Sequence, residues 1–346
     1  MKRGLVATEV PETTRAACAA RVQRLRARLR EAGCDAALIY GDVSRSDDIY
    51  YLANLCLYWN EGVLVVPARG EVTFATKLSP RVHPWMRATS VVSELHSGPN
   101  LPKLICEALG GAGSRRVGVV EHDWWPGALL DDLAVALGQS ELVDLVDAVR
   151  RDRLEPDEAE LAQLRDLGCL AATGLLAAGE LEGKPADRIA AIERVTRAAG
   201  ATDVFAAAED AADGSASVGV IVQLGHLWLR AARSGGGALA DHAAFGAAQA
   251  AAALRDGATL ASVASAVTAP ASGEIALRTE CVCHVDLGPG GARFRAEDSD
   301  KPLRSGEVAT IAVTAVGPAG RAAYGDTYLV AHESAATLSA VSEACR

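Results

Sequence analysis

The chain has 346 residues, half of them hydrophobic, and a formal net charge of −10. This length is enough for two domains with full-sized cores, and the acidic balance argues against nucleic-acid binding, which needs clustered Lys and Arg. No apolar run reaches membrane-spanning length, and the basic start contains no signal-peptide core. The eight cysteines are scattered, so we expect them to be reduced and the protein to be cytoplasmic.

The first 150 residues alternate between predicted helices and strands. Residues 14–32 have helical spacing of their apolar side chains, and Gly33 is a plausible stop. Buried strands are predicted at 34–40, 62–67, 72–76 and 117–120, with helices near 101–110 and 127–138. This alternation predicts an α/β domain that ends near residue 150.

A second domain is predicted over residues 151–346. Pro156, followed by acidic residues, is typical of a helix N terminus, and the chain reads as two helices up to about residue 210. Strands at 218–223 and 226–232 and an Ala-rich helix at 239–254 follow. The rest consists of strands and turns, and includes a turn that leads into a buried strand over 303–313 and a second strand at 324–330.

Five sequence landmarks resemble, in the correct order, those of the creatinase, aminopeptidase P and prolidase superfamily. Residues 47–54 are similar to its element N-x-x-Y-L-T-G, residues 150–165 to the start of its catalytic domain, and residues 254–259 to its L-k-P-G-x-t turn. The strands at 303–313 and 324–330 resemble the two that each carry a metal-binding Glu. The resemblance implies an α/β N-terminal creatinase-like domain over 1–150 and an α+β pita-bread C-terminal domain over 151–346.

The resemblance also implies five metal-binding positions, of which four hold residues that are not metal ligands. Ala312 and Gly325 stand at the two Glu positions, and Gln223 stands at the first Asp position. When Arg233 is aligned with the family's Arg, Arg230 stands at the second Asp position. The fifth is His284, which is still a ligand type. Divalent ions need carboxylates to offset their charge, so we predict no metal and no other cofactor.

The polar residues near these positions are the candidate site of a cavity without metal. Alternation along the strand predicted at 226–232 places His226, Trp228 and Arg230 on one face, which lines either the cavity or a solvent-exposed hairpin. His226 or His284 would move protons, and Arg230 or Arg233 would hold an anion. The candidate catalytic residues are His226, His284, Asp326 and Tyr324, and the candidate substrate-binding residues are Arg230, Arg233, Gln223, Trp59 and Arg45.

Two of these candidates have alternative interpretations, and two others belong to the first domain. Asp326 could equally cap a turn, and Tyr324 could pack at the rim of the core. Trp59 and Arg45 belong to the N-terminal domain. In creatinase-like relatives that domain closes over the active site of the partner subunit, so the resemblance implies a homodimer in which these two residues would contact substrate.

Two functions are compatible with this pattern. The first is a metal-independent hydrolase, lyase or cyclase that acts on a small amino-acid-derived, amide or guanidino substrate with an anionic group, in a specialised biosynthetic pathway. Creatinase supplies the precedent, although residues 208–215 lack the His that it carries there. The second is a catalytically inactive pita-bread protein that binds a partner, as histone-chaperone subunits do. An active Xaa-Pro aminopeptidase is the weakest hypothesis, because it would need two metal ions.

The cavity discriminates between these two functions. A pocket in which His, Arg, Tyr and Asp converge would favour the enzyme, and an apolar or filled cavity would favour the binding protein. The expected partners are a small-molecule substrate and a second copy of the chain, and neither nucleic acid nor membrane is expected.

Overall fold

The computed structural model describes residues 10–111, 113, 115–179, 183–268, 274–288 and 299–339. The chain divides into two compact units, and the boundary lies between Arg153 and Leu154. Among the described residues, none of the helices is both long and apolar enough to span a membrane.

The N-terminal unit is built on a six-stranded sheet. Its strands are β1 (Ala36–Asp42), β2 (Glu61–Pro67), β3 (Thr73–Thr76), β4 (Glu94–Ser97), β5 (Arg116–Val120) and β6 (Glu141–Leu145), in the order β4-β3-β2-β1-β5-β6. Its helices are α1 (Glu12–Ala32), α2 (Asp47–Ala53), α3 (His83–Thr89), α4 (Leu101–Ala108), α5 (Gly127–Leu137) and α6 (Arg150–Leu154). The short strands β4 and β6 are additional to those predicted from the sequence.

Helices cover both faces of this sheet, which explains the continuous apolar run of β1. Ala37 and Ile39 pack in one core cluster that includes Leu25 of α1, whereas Leu38 packs in a second that includes Ile105 of α4. A strand that is buried on both faces has no solvent-exposed face, so its sequence does not alternate between apolar and polar residues. Helix α1 ends at Gly33, whose φ of 65° is a left-handed conformation that glycine adopts without strain.

The C-terminal unit is built on an antiparallel sheet of seven strands. These are β7 (Asp203–Asp210), β8 (Ala216–Leu224), β9 (Leu227–Gly235), β10 (Ala276–Cys283), β11 (Val308–Gly317), β12 (Gly320–Val330) and β13 (Ala335–Thr337). The order is β10-β11-β12-β9-β8-β7, and β13 pairs with β12. The described helices are α7 (Glu158–Gly179), α8 (Pro185–Ala198), α9 (Ala238–Ala253) and α10 (Leu260–Ser265).

Strand β7 corrects the sequence prediction, which placed helices up to about residue 210. Its alanines favour a helix in isolation, but residues 203–210 pair one by one with β8, from Asp203 opposite Gln223 to Asp210 opposite Ala216. Pairing with a neighbouring strand therefore overrides the local preference of this segment.

The long helices define the two faces of the sheet. Leu164 and Leu167 of α7 pack on Val220 and Val222 of β8 in one core cluster, and alanines of α9 pack with Ile311 of β11 in another. Because side chains alternate along a strand, the residues between these positions project to the opposite face. We call that opposite side the open face.

Cys169 on α7 corrects a second expectation. It forms a disulfide, so the prediction that all eight cysteines are reduced is wrong at this residue. Pairing depends on which segments the fold brings together, and the scattered positions in the sequence contain no such information.

Candidate functional site

A row of small residues crosses the open face of the C-terminal sheet. The strand register places in this row, one opposite the next, Ala207, Gly219, Ala232, Gly325, Ala312 and finally Glu280. Directly paired residues project from the same face, so the first five form a floor without long side chains. Both positions that the sequence aligned with metal-binding Glu residues, Ala312 and Gly325, lie in this floor.

Three residues of this floor, Ala207, Gly219 and Ala232, line a pocket of about 330 Å³, whereas Gly325 and Ala312 lie beyond its lining. Phe205, Ile221 and Thr314 line its sides, and Arg230 and Arg321 contribute positive charge. Phe205 is exposed, and its ring stacks on buried Trp228 with 6.1 Å between the ring centroids. The pocket is thus mainly apolar, with arginines at its edge.

Arg230 forms an ion pair that spans the middle of the open face. Its Nη1 donates to Glu280 Oε2 at 2.7 Å. Strands β12 and β11 lie between β9 and β10, which corresponds to three strand spacings, about 14 Å, across a flat sheet. The pair also runs diagonally, because the β9 residue in the row of Glu280 is Ala232, two residues from Arg230. On β12, Thr327 lies beside Arg230 and exchanges hydrogen bonds with its backbone. The small residues Gly325 and Ala312 lie in the row of Glu280, where they leave room for the pair. Glu280 was not among the residues predicted from the sequence.

The residues at the family's metal positions do not fit a metal. Ala312 has no donor atom, and a Cβ at Gly325 would lie 2.5 Å from the carbonyl oxygen of Ile311 and 2.9 Å from the Cα of Ala312. The backbone has therefore closed over the place where a Glu side chain would begin. Throughout the described residues, no group of three or more His, Cys, Asp or Glu residues could hold a metal ion. A cation at this place would also face Arg230.

His226 lies away from the pocket, in the turn between β8 and β9. Its Nε2 is 2.5 Å from Glu160 Oε1 on α7, and both residues are buried. The other oxygen of Glu160 accepts from the backbone N–H of Asp157 at 3.0 Å, so this carboxylate also caps α7. The prediction that His226 shares a face with Trp228 and Arg230 is wrong, because β9 begins at Leu227 and strand alternation does not extend into the turn.

Gln223 and His284 are also buried, and neither lines the pocket. The Gln223 amide donates to the carbonyl oxygen of Gly225 at 2.8 Å, which fixes the turn of its own hairpin. His284 lies in a short 3₁₀ helix after β10, with Nδ1 3.3 Å from the carbonyl oxygen of Val308. His284, which holds the one family metal position that still has a metal-ligand residue type, therefore lies just after the end of an edge strand.

Arg233, Tyr324 and Asp326 meet one another on the face that α9 covers. Arg233 donates to Asp326 Oδ1 at 3.0 Å and to the carbonyl oxygen of Gly325 at 2.9 Å. Its guanidinium carbon lies 5.0 Å from the centre of the Tyr324 ring. The three residues form one cluster, but they are separated from Arg230 by the sheet itself. The guanidinium of Arg233 links β9 to β12, so the geometry gives this cluster a role in joining the two strands.

Burial gives Asp326 an unusual titration. Removal from water raises the pKa of its carboxyl from 3.8 to about 6, against the opposing charge of Arg233. The folded state therefore holds this proton more firmly than the unfolded state does, and stability falls as pH rises from about 4 through 6. We expect Asp326→Asn to raise the free energy of unfolding by about 2 kcal/mol at pH 7, and to change it little at pH 4.

Urea denaturation at pH 4, 5, 6 and 7 measures this difference. At each pH the variant is compared with the wild-type chain, because the two proteins differ only at residue 326. A variant that is less stable than wild type at pH 7 and equal to it at pH 4 would mean that the attraction of Arg233 outweighs burial.

Arg45 and Trp59 lie in the N-terminal unit, where each has its own contacts. Arg45 pairs with Asp42 at 2.9 Å and donates to the carbonyl oxygen of Trp124 at 2.7 Å. Trp59 is exposed and stacks on Trp85 with 6.3 Å between the ring centroids. Their predicted contact with substrate across a homodimer stays a prediction.

Comparisons with known proteins agree with this architecture. Residues 21–154 match the Creatinase/Prolidase N-terminal domain family. The prolidase from Pyrococcus horikoshii OT3 superposes with a TM-score of 0.76 at 15% identity, covering 93% of this chain and 99% of the prolidase. The Xaa-Pro dipeptidase from Bacillus anthracis gives 0.73 at 16% identity, covering 94% and 98%.

A third structure of the same fold comes from a protein complex. The N-terminal domain of FACT complex subunit SPT16 from Cicer arietinum superposes with a TM-score of 0.67 at 11% identity, covering 95% of this chain and 97% of that domain. A comparison with curated proteins gives no match. At these identities the superpositions show the fold alone.

Proposed function

We propose that the chain is a divergent member of the creatinase, aminopeptidase P and prolidase superfamily, whose N-terminal domain it matches over residues 21–154 and whose two-domain pita-bread fold it shares. From this premise we propose that it binds a small organic ligand on the open face without metal-dependent hydrolysis. One observation carries the proposal: the Arg230–Glu280 ion pair crosses β12 and β11, the two strands that carry Gly325 and Ala312. A positive side chain and two residues without donor atoms stand where relatives of this type would hold metal.

The contents of the pocket favour binding over catalysis. Its lining combines an apolar floor, the hydroxyl groups of Ser217 and Thr314, and arginines that are paired with glutamates. A metal-independent enzyme would need a free proton-transfer group in this pocket. Glu209 lines the pocket but is paired with Arg321, and the candidates His226 and His284 are buried outside the lining. The binding protein is therefore the better supported of the two functions considered from the sequence.

The names of the relatives indicate two different uses of one fold. Prolidase and Xaa-Pro dipeptidase are names of peptidases, whereas the SPT16 domain belongs to a complex subunit. We do not extend peptidase activity to this chain, because the carboxylates that would hold metal are replaced. The homodimer and the cytoplasmic location also remain proposals. Light scattering coupled to gel filtration, which gives the mass of one or of two chains, tests the dimer.

We expect no saturable binding of Mn²⁺, Co²⁺ or Zn²⁺ by the purified chain. Isothermal titration with each ion measures binding, and chromatography of Ala-Pro and Leu-Pro incubated with the chain and each ion measures hydrolysis. A metal-dependent prolidase assayed in parallel is the control. Two tightly bound divalent ions per chain, or metal-dependent cleavage of either dipeptide, would overturn the proposal.

Ligand binding itself is tested by thermal denaturation against a set of small organic acids, amides and amines. We expect at least one compound to raise the melting temperature of the wild-type chain. Ala207→Phe should abolish that shift, because Ala207 lies exposed in the floor of the pocket and the larger ring would occupy it. A shift of equal size in the variant would place the ligand elsewhere.

A further inference from the structure

We infer that the open face takes an apolar carboxylate, whose carboxyl group replaces Glu280 as the partner of Arg230. This inference rests on the proposed binding function and adds the chemical class and the anchoring residue. A guanidinium binds a carboxylate through two parallel hydrogen bonds, so a ligand of this class can take over the contact that Glu280 now makes.

The exposure of the two partners makes this exchange favourable. The side chain of Arg230 is 25% exposed and lines the pocket, whereas that of Glu280 is 58% exposed and is not part of the lining. An ion pair with a solvent-exposed partner contributes only about 0–1 kcal/mol, so little is lost when Glu280 returns to water. A ligand carboxylate inside the pocket would be less hydrated and would interact more strongly with Arg230.

The second arginine of the pocket is a weaker anchor. The side chain of Arg321 is 64% exposed, and it pairs with Glu209, which is 39% exposed. A guanidinium that is mostly in water gains little from a new partner, because water already screens its charge. Arg230 is therefore the anchor, and Arg321 provides an internal control.

The strand register defines the apolar part of the ligand. Phe205, Ile221 and Arg230 are directly opposite one another on β7, β8 and β9, so they form one row beside the floor of small residues. Two strand spacings, about 10 Å, separate the backbone of Phe205 from that of Arg230. A carboxylate that binds Arg230 can thus extend an aromatic or branched alkyl group over Ile221 towards Phe205, where aromatic rings stack favourably.

The probe for this inference is 3-phenylpropanoate, with 3-phenylpropanamide as its uncharged analogue. Isothermal titration should give tighter binding of the acid than of the amide to the wild-type chain. Arg230→Met should weaken binding of the acid by about tenfold or more, since hydrogen bonds to charged groups contribute about 1.5–3 kcal/mol. The same substitution should leave the affinity for the amide unchanged.

Glu280→Gln should strengthen binding of the acid, whereas Arg230→Met should weaken it, so Glu280→Gln is the more specific test. It removes the competing carboxylate without touching the pocket, so the acid should bind up to about fivefold more tightly. Arg321→Met is the matched control and should change the affinity by less than about twofold. Circular dichroism and the melting temperature check that each variant is folded. Because Glu280 is exposed, its substitution should not destabilise the fold.

The outcomes separate this inference from the proposed function. Absence of acid binding to the wild-type chain, equal affinity in Arg230→Met, or weaker binding in Glu280→Gln would each overturn the inference while leaving a metal-free binding protein in place. Stoichiometric metal binding or dipeptide cleavage would instead overturn the proposed function.

Discussion

Replacing His226 by Leu is expected to lower the free energy of unfolding by about 3–5 kcal/mol. The cause is Glu160, whose Oε1 lies 2.5 Å from His226 Nε2 and whose side chain is buried. A leucine fills a similar volume but gives this carboxylate no hydrogen bond, and loss of one partner of a buried pair is costly because the other stays desolvated. Urea denaturation at pH 7, followed by far-ultraviolet circular dichroism, measures the loss.

A double-mutant cycle with Glu160→Gln isolates the pair. Gln keeps an oxygen that can accept from the backbone N–H of Asp157, so the cap of α7 is retained and the charge is removed. The cost of the double variant should be well below the sum of the single costs, because residues in direct contact are not additive. Unchanged stability in His226→Leu together with loss of a chemical activity would instead return His226 to the catalytic role that the sequence suggested.

Much of the architecture could be predicted because each landmark reflects a local rule. The strand pair at 303–313 and 324–330 corresponds to β11 and β12, with Ala312 opposite Gly325. The helix predicted at 14–32 corresponds to α1, which ends beside a left-handed glycine. Apolar periodicity and turn residues act over a few positions, so they can be read in a single chain.

The site was less predictable because its contacts join distant segments. Glu280 is 50 positions from Arg230 along the sequence, and no local pattern connects them. His226 has a similar explanation: its partner Glu160 lies 66 positions away on a helix. A polar residue beside a predicted strand can face a cavity, solvent or a helix, and only the packed structure decides between these environments.

The choice between Arg230 and Arg233 as partners of an open-face anion is constrained by the sequence. Arg230 and Arg233 are three positions apart on one strand, and side chains alternate with a period of two. They must therefore project from opposite faces, as the structure shows: Arg230 lines the pocket, and Arg233 contacts Asp326 on the other side. The spacing alone excludes a single anion site made of both.

Gly325→Ala is expected to destabilise the C-terminal unit by about 1–3 kcal/mol, the usual cost of adding a methyl group where there is no room. The new Cβ would lie 2.5 Å from the carbonyl oxygen of Ile311 and 2.9 Å from the Cα of Ala312. These are backbone atoms of the paired strand β11, so relief requires β11 and β12 to move apart. Urea denaturation of the variant and the wild-type chain measures the difference.

Gly219→Ala is the matched control in the same row of the floor. Its Cβ would meet Ala232 Cβ at 3.6 Å and the carbonyl oxygen of Ala231 at 3.8 Å, which are ordinary contacts. It should be neutral or stabilise the fold by up to about 1 kcal/mol, because alanine restricts the unfolded chain more than glycine does. If Gly325→Ala were equally harmless, the strands would have room for a larger side chain, and restoring a metal-binding Glu would need only substitutions. A large cost at Gly325 alone would mean that the backbone, as well as the side chains, has moved away from metal binding.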